Sequence, residues 1–381
     1  MLYRQLNKTG IDLSILGFGC MRLPTLDHKP EKIDYPKASQ MLHYAIDHGV
    51  NYVDTAYFYH AAVFGQRGGS EPFVGEALSG GWRKKVHLAT KMPLFLVKHK
   101  EQMDTFLKEQ LERLKTDYLD FYLLHGLNGE SWNRMRDMGV REFLDKKKAE
   151  GKLRFPAFSF HGNTEDFIRI CNEYDWTFAQ IQYNYMDIDI QAGNKGLKYA
   201  ADKGIGVVVM EPLKGGKLAQ KLPAEMISVF NASPIKKSPA EWALRFVWNE
   251  AGVSSLLSGM NSMEQVIENI GIADDGIPNS LGKDELLMFD SLRIAMSARI
   301  KADCTDCRYC MSCASGVDIP DVLAALNNAA IWNDSNPWLT GYTPINGKAG
   351  KCTECKECEK VCPQELPIST FMKEAVSLFK E

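Results

Sequence analysis

Between residues 14 and 273 the chain alternates eight times between a short apolar run and an amphipathic stretch. The runs are SILGFGC (14–20), YVDTA (52–56), HLATKM (87–92), YLDFYLLH (118–125), FPAFSF (155–160), FAQIQYN (178–184), GVVVMEP (206–212) and SSLLSG (254–259). Strands this short and apolar on both faces belong to parallel sheets covered by helices. The stretches between them carry helical spacing: in KASQMLHYAIDHG (37–49), Met41, Leu42, Ala45 and Ile46 share a face and Gly49 supplies the stop. Asn163 or Thr164 suits an N-cap, and Ser238 caps another helix with Pro239 at its first position and Glu241 three residues on. Strand and helix repeated eight times predict an α/β fold, a closed (β/α)8 TIM barrel. The competing doubly wound sheet calls for a G-x-G-x-x-G turn after its first strand. Here GFGCMRLP runs on without one, and GIGVVV (204–209) precedes its strand.

At 381 residues the chain exceeds one ordinary domain. PNSLGKDELLMFDSLRIAMSARI (278–300) predicts one more helix leading out of the barrel, so the expected division is a barrel over 1–300 and a small module over 301–381. A formal charge of -3 without a basic stripe argues against nucleic acid as a partner. MLYRQLNKTG lacks the apolar core of a leader, and no stretch approaches the ~18 apolar residues a spanning helix needs. The expectation is a soluble cytoplasmic protein without a membrane partner.

Barrel enzymes build their sites at the C-terminal ends of strands. The second run ends in Asp54, with Tyr59 five residues on in DTAYFYH; the third ends in Lys91, in LATKMP; the fourth ends in His125, in FYLLHGL. Singly these are a rim lysine, a packing tyrosine and a core histidine. Together they bring a carboxylate, a phenol, an ammonium and an imidazole to one rim, a set able to move a proton to a carbonyl oxygen. A phenol with pKa ~10 is a slow acid at neutral pH, and an adjacent ammonium is expected to lower that value. Asp54 would keep Lys91 charged and a neutral His125 would orient the carbonyl, while Tyr57 competes with Tyr59 for the acid role. In the following loop, HAAVFGQRGG (60–69), an inward-facing Arg67 would favour a polar or anionic substrate.

The pieces GFGCMRLP, DTAYFY, LATKMP, LLHG, FSFH, QIQYNY, EPLKGGKL and SGMNSMEQVIENI, in this order, resemble the aldo/keto reductase superfamily over about residues 1–300. The resemblance implies an oxidoreductase acting on a small carbonyl or sugar-like substrate, with a catalytic set of Asp54, Tyr59, Lys91 and His125 and Tyr59 as general acid. It implies NAD(P)(H) lying across the mouth, with Met21 and Arg22 after the first strand. Ser159 and Gln182 would hold the carboxamide, and Met210 would cover the ring. The loop of Pro212, Leu213, Lys214, Gly215 and Leu218 would meet the pyrophosphate, and Gly259, Ser262, Gln265, Glu268 and Asn269 the adenosine end. A glycine-containing loop and a helix start are common phosphate sites in barrels, and the long connection 213–237 could close over a cofactor. Three positions depart from the family pattern. Met210 stands where an aromatic ring is usual, Phe160 where an asparagine is usual, and Gln265 where an arginine commonly meets the 2'-phosphate of NADP. Lys214, Lys217 or Arg22 could compensate for the last. The altered nicotinamide end also leaves room for a flavin.

Eight of the ten cysteines fall in CTDCRYCMSC (304–313) and CTECKECEKVCP (352–363). Zinc asks for two C-x2-C pairs with a longer spacer, and a cytoplasmic setting disfavours disulfides. Three-residue spacing lets one loop wrap three corners of a 4Fe–4S cube. The second run resembles bacterial two-cluster ferredoxins in full; the first has one residue fewer before Cys313, and Ala314 in place of proline. That resemblance implies two 4Fe–4S clusters, one on Cys304, Cys307, Cys310 and Cys362, the other on Cys352, Cys355, Cys358 and Cys313. DIPDVLAALNNAAIWND (318–334) predicts a helix between the halves, and DIP and LPIS hint at internal repetition. Cys20 and Cys171 read as packing residues.

Nicotinamide moves two electrons and a cluster one, so direct hand-over is poor chemistry. Three readings follow: a reductase whose tail feeds a flavin or relays to an electron-transfer partner protein; an electron-transfer or redox-sensing protein with a weakly active barrel; and an ordinary reductase with a structural tail.

Overall fold

The eight apolar runs become eight parallel strands closed into a barrel, in the order β10-β3-β4-β5-β6-β7-β8-β9. They are β3 (Leu16–Gly19), β4 (Tyr52–Asp54), β5 (His87–Met92), β6 (Leu119–Leu127), β7 (Leu153–Phe160), β8 (Phe178–Gln182), β9 (Gly206–Met210) and β10 (Val253–Ser258). Before them an antiparallel hairpin, β1 (Tyr3–Leu6) and β2 (Ile11–Ser14), turns through Gly10 at φ 72. This computed structural model describes every residue except 7, 8, 64, 221, 343–347 and 381.

The helices after successive strands are α1 (Tyr35–Asp47), α2 (Ser70–Ala77), α3 (Glu101–Arg113), the pair α4 (Gly129–Asp137) and α5 (Val140–Ala149), α6 (Thr164–Glu173), and α7 (Gly193–Asp202). After β9 come α8 (Lys217–Gln220), α9 (Ala224–Ala232) and α10 (Pro239–Asn249), and after β10 comes α11 (Met263–Ile272). Capping follows the residues: Asn163 accepts from the Asp166 amide and Ser238 from the Glu241 amide.

One cluster of buried side chains fills the barrel: Tyr52, Ala89, Phe121, Leu123, Ala157, Phe178, Val208 and Leu257 from the strands, with Leu6 and Leu13 from the hairpin. The hairpin therefore plugs the barrel at its base. Gly206 is a glycine for that reason, since a Cβ there would stand 2.3 Å from a Leu6 methyl carbon. Side chains in a strand face one way every second residue, so the core residues fix what points inward at the rim. Two positions beyond Tyr52, Ala89, Leu123, Ala157, Phe178, Val208 and Leu257 lie Asp54, Lys91, His125, Ser159, Gln180, Met210 and Gly259.

The chain divides into two compact units, Met1–Leu218 with Lys237–Leu281, and Ala219–Lys236 with Gly282–Glu381. The first is the barrel. The second contains α9, α12 (Lys283–Ser297), α13 (Ile319–Trp332), α14 (Pro337–Thr340), α15 (Glu357–Lys360) and α16 (Ile368–Phe379). The helix expected to lead out of the barrel thus groups with the cysteine-bearing segment. Ile319, Val322, Leu323 and Leu326 of α13 pack with Ile368, Met372, Ala375 and Phe379 of α16 in the core of this unit. Asn327 fastens the segment before the first cysteine, donating to the Ala302 carbonyl and accepting from the amides of Lys301 and Ala302. Among the described residues, no helix is long and apolar enough to cross a membrane.

Candidate active site

Lys91 stands at the centre of the rim. Its ammonium donates to Asp54 Oδ1 at 2.5 Å, to the Thr55 carbonyl at 2.9 Å and to the Tyr59 hydroxyl at 3.2 Å. Lys91 is fully buried and Asp54 is 2% exposed. Burial opposes the charge on Lys91, but Asp54 and the Tyr59 phenol outweigh it and hold the ammonium above its ordinary pKa. Asp54 is pushed up by burial, with Lys91 opposing.

The expected lowering of the Tyr59 pKa is present only as a partial term. Burial pushes the phenol up, Lys91 pulls it down, and the net direction is upward. Tyr59 is therefore a neutral phenol, the protonated form that a general acid requires. Its hydroxyl lies 3.2 Å from the Lys91 ammonium, whereas the Tyr57 hydroxyl donates to Glu109 at 3.4 Å. Gly68 holds the turn that aims Tyr59: a Cβ there would lie 1.9 Å from the Tyr59 carbonyl oxygen.

His125 stacks on Phe58 at 4.5 Å between ring centroids and meets Tyr59 edge-on at 5.9 Å. Burial, then the Lys91 and His161 charges, hold its imidazole well below the ordinary value, so it is neutral. A bulge between Leu124 and Leu127, with Gly126 at φ 65, interrupts the strand here before it pairs again at Leu127 with Phe160.

Asp54, Tyr59 and His125 open on one cavity of about 510 Å³, whose wall includes Met21, Arg22, Ser159, Gln180, Met210 and Gly259. Gln180 is 1% exposed and its Oε1 has no hydrogen-bond partner among the described residues. Such a buried, unsatisfied acceptor is costly unless a ligand completes it.

Residues 15–279 match the aldo/keto reductase family, and residues 303–366 match a 4Fe-4S dicluster domain. The chain belongs to the aldo/keto reductase family. An uncharacterized oxidoreductase of Bacillus subtilis is 28% identical over 306 residues, covering 72% of this chain and 92% of that one. Among solved structures, the holo form of an aldo-keto reductase from Bacillus halodurans superposes with TM-score 0.63 at 26% identity, over 77% of this chain and 96% of its own. An aldo/keto reductase from Klebsiella pneumoniae, solved with NADP and acetate, gives TM-score 0.59 at 26% identity, over 75% and 94%. The protein is an oxidoreductase of this type with a C-terminal iron–sulfur domain.

In this reductase the residues expected around a nicotinamide fall into three places. Met21, Arg22, Ser159, Met210 and Gly259 line the cavity. Gln182 does not: it donates to Asp187 at 2.8 Å and accepts from Gln191 at 3.3 Å. Its neighbour in the same parity, Gln180, takes the cavity wall and pairs in register with Ser159. The signal lay in the alternation, since Gln180 sits one pleat above the core residue Phe178. Phe160 is fully buried, packed on Phe158 and Phe167, while His161 lines the cavity.

The loop after β9 is held by a buried carboxylate. Lys214 donates to both oxygens of Asp187, at 2.7 and 2.6 Å, and Asn184 joins Asp187 to the Glu211 carbonyl. Glu211 and Lys214 have left-handed φ of 54 and 47, Pro212 and Leu218 are buried, and the Leu213 carbonyl accepts from the Gly216 and Leu218 amides. Gly215 leaves room for Arg22, whose guanidinium pairs with Glu211 at 2.8 Å. Two of the cations expected to reach a 2'-phosphate, Lys214 and Arg22, are thus already paired. Ser262 caps α11, Gln265 accepts from the Asn261 amide, Glu268 accepts from the Ser238 hydroxyl, and Asn269 donates to Ser258.

In the second unit the eight cysteines surround two spaces. Cys304, Cys307, Cys310 and Cys362 line one; Cys313, Cys352, Cys355 and Cys358 line the other, together with Cys310, which the two spaces share. Among the described residues no three His, Cys, Asp or Glu side chains converge tightly enough for a single ion. The two runs repeat each other in backbone as well as sequence: Asp306 and Arg308 have left-handed φ of 52 and 62, Glu354 and Lys356 of 57 and 60. The Glu354 amide donates to Cys352 Sγ at 3.4 Å, and Glu359 ties the second run to α16 through the Ser369 amide and hydroxyl.

Proposed function

We propose that the barrel interconverts a small carbonyl compound and its alcohol with NAD(P)(H), Tyr59 acting as the acid. The observation that carries this is the line from Asp54 through Lys91 to the Tyr59 hydroxyl, at 2.5 and 3.2 Å, ending in a cavity that His125 also faces. A nicotinamide bound along the wall of Ser159, Gln180 and Met210 would supply hydride to the carbonyl carbon. The orphaned Gln180 oxygen fits the amide donor of a carboxamide. The carbonyl oxygen then accepts the Tyr59 proton. Lys91 stabilises the phenolate left behind, and Asp54 keeps Lys91 protonated. Neutral His125 orients the same oxygen by a hydrogen bond.

For the second unit we propose two 4Fe–4S clusters, one held by Cys304, Cys307, Cys310 and Cys362, the other by Cys313, Cys352, Cys355 and Cys358. The grouping of the thiols around two spaces supports this division, with the last cysteine of each run serving the other. Such clusters carry single electrons, which suits exchange with a partner protein.

The test is an anaerobic preparation assayed for iron, sulfide and released flavin, then for aldehyde reduction by NADH and NADPH. About eight irons per chain are expected, with turnover that collapses in Tyr59→Phe. Turnover untouched by that substitution would remove Tyr59 from the mechanism. Reduction driven only by a reduced viologen or ferredoxin would assign electron delivery to the tail.

A further inference from the structure

The chemistry assigned to Tyr59, Lys91 and His125 uses one side of the cavity and leaves the other unexplained. Three residues after His125, Asn128 caps α4, so the N-terminal turn of that nine-residue helix opens on the same space. Asn128, Ser131 and Arg134 line it. Asn128 and Ser131 cap each other reciprocally, at 2.8 and 2.9 Å, through the Asn128 side-chain oxygen and the Ser131 hydroxyl. The Asn128 side-chain nitrogen has no partner among the described residues.

Arg134 donates to the carbonyls of Leu94 and Val97, at 2.8 and 2.6 Å, and among the described residues no carboxylate pairs with it. Every other charge around the cavity is matched: Arg22 with Glu211 at 2.8 Å, Lys91 with Asp54 at 2.5 Å. His125 and His161 are both shifted toward the neutral form by burial. One positive charge is left over, in a cavity whose wall already holds three buried atoms without a hydrogen-bond partner among the described residues, Asp54 Oδ2, Gln180 Oε1 and His125 Nδ1. Arg67, on which the sequence-based expectation of an anionic substrate depended, is 66% exposed and bound to Glu109, outside this wall.

We propose that the carbonyl substrate of this reductase carries a carboxylate, seated on Arg134 and the Asn128 side-chain nitrogen. The assignment rests on reading the cavity as the carbonyl-reducing site. Charge-assisted hydrogen bonds from a guanidinium, with a side-chain amide beside it, favour an anion in such a partly dry space. A single unmatched cation suits the one charge of a carboxylate better than the two of a phosphate ester. Arg134 also fixes the turn that carries Leu94 and Phe95 into the wall, so the seat and the apolar flank are built together.

Binding and turnover test the proposal separately. The full chain, prepared anaerobically with its iron, is titrated calorimetrically with succinate and with its neutral diamide, succinamide. Succinate should bind about 10- to 100-fold tighter, the span expected of hydrogen bonds to a charged group. Asn128→Asp preserves the helix cap while adding a carboxylate to the wall, and it should abolish that preference, as should Arg134→Met. In turnover, the ratio of kcat/KM for 4-oxobutanoate over butanal should fall toward one in both variants. Equal binding of succinate and succinamide, or a preference that survives Asn128→Asp, overturns the proposal whether or not either aldehyde is reduced. Tighter binding of inorganic phosphate than of succinate overturns the choice of carboxylate. A succinate preference without any aldehyde reduction instead sinks the reductase reading and leaves the anion seat standing.

Discussion

The barrel rim and the cysteine loops both bring several side chains to one point, by opposite means. At the rim Asp54, Lys91 and His125 come from three different strands, the direction of each set by the core residue beneath it (Tyr52, Ala89 and Leu123), and Tyr59 follows in the turn after Asp54. The framework is complete without any ligand, and the site is a consequence of it. In the second unit six of the eight cysteines come from two short loops with left-handed backbone at Asp306, Arg308, Glu354 and Lys356, backed by the core of α13 and α16. Of the eight cysteines only Cys310 is buried, so a cluster bound there would supply much of the order of these loops. A site on a scaffold survives loss of its ligand; a site made of loops does not.

Iron removal is the strongest way to break this contrast. After anaerobic chelation, amide exchange in 304–313 and 352–362 should quicken more than about hundredfold, because binding free energy is folding free energy in such loops. The strands β4 to β6 should keep their protection. Equal loss in both regions would show that the barrel depends on the clusters as well. Next in size, Tyr59→Phe should lower kcat by about 10²- to 10⁴-fold, with Tm and nicotinamide affinity retained, because the phenol hydroxyl is held by Lys91 and is not needed to hold it.

The same contrast explains what the sequence could reveal. Strand positions follow from local periodicity, and the cysteine runs are contiguous, so both the barrel and the iron–sulfur domain were legible, as was the convergence of Asp54, Lys91 and His125 at consecutive strand ends. The hairpin β1–β2 was not, because its polar residues mask the two that matter, Leu6 and Leu13, whose role as a plug exists only once the barrel has closed. Gln182 was expected in the cavity and Gln180 occupies it, since both share a parity and only the register with Ser159 separates them. The counter-ions of Lys214 and Arg22 were also out of reach. Asp187 and Glu211 are 27 and 189 residues from their partners in sequence.

Lys91 sharpens the comparison from the stability side. Lys91→Met leaves Asp54 buried without its counter-ion, a loss of about 3–5 kcal/mol in denaturant unfolding of the barrel. Arg113→Met should cost a similar amount, because Arg113 meets the fully buried Glu71 at 3.0 Å. No substitution of the eight cysteines in the second unit should touch barrel stability on this scale. His125 gives a smaller, pH-dependent effect. Its folded pKa is depressed, so below the ordinary histidine value of ~6.5 the unfolded chain binds a proton that the folded chain refuses, and stability falls by up to ~1.4 kcal/mol per pH unit. Above that value the term vanishes. His125→Gln should flatten the slope between pH 5 and 6.5, and an unchanged slope would mean the imidazole is protonated in the folded state.

The smallest effect is expected where the loop after Tyr59 meets solvent. Arg67 and Arg113 both reach Glu109, the first at 2.9 Å and the second at 3.9 Å, yet they differ in what surrounds them. Arg113 is 15% exposed, donates to the Gly68 carbonyl and lies 5.5 Å from the Tyr57 ring, so it fastens from beneath the turn that aims Tyr59. Arg67 is 66% exposed, and water screens and replaces its one ion pair at little cost. Arg67→Ala should leave Tm unchanged and kcat/KM within about twofold for carboxylate and neutral aldehydes alike, as expected of an exposed ion pair. A selective loss on the carboxylate substrate would mean that this arginine swings into the cavity during turnover, and the anion seat would then have to be shared between Arg67 and Arg134.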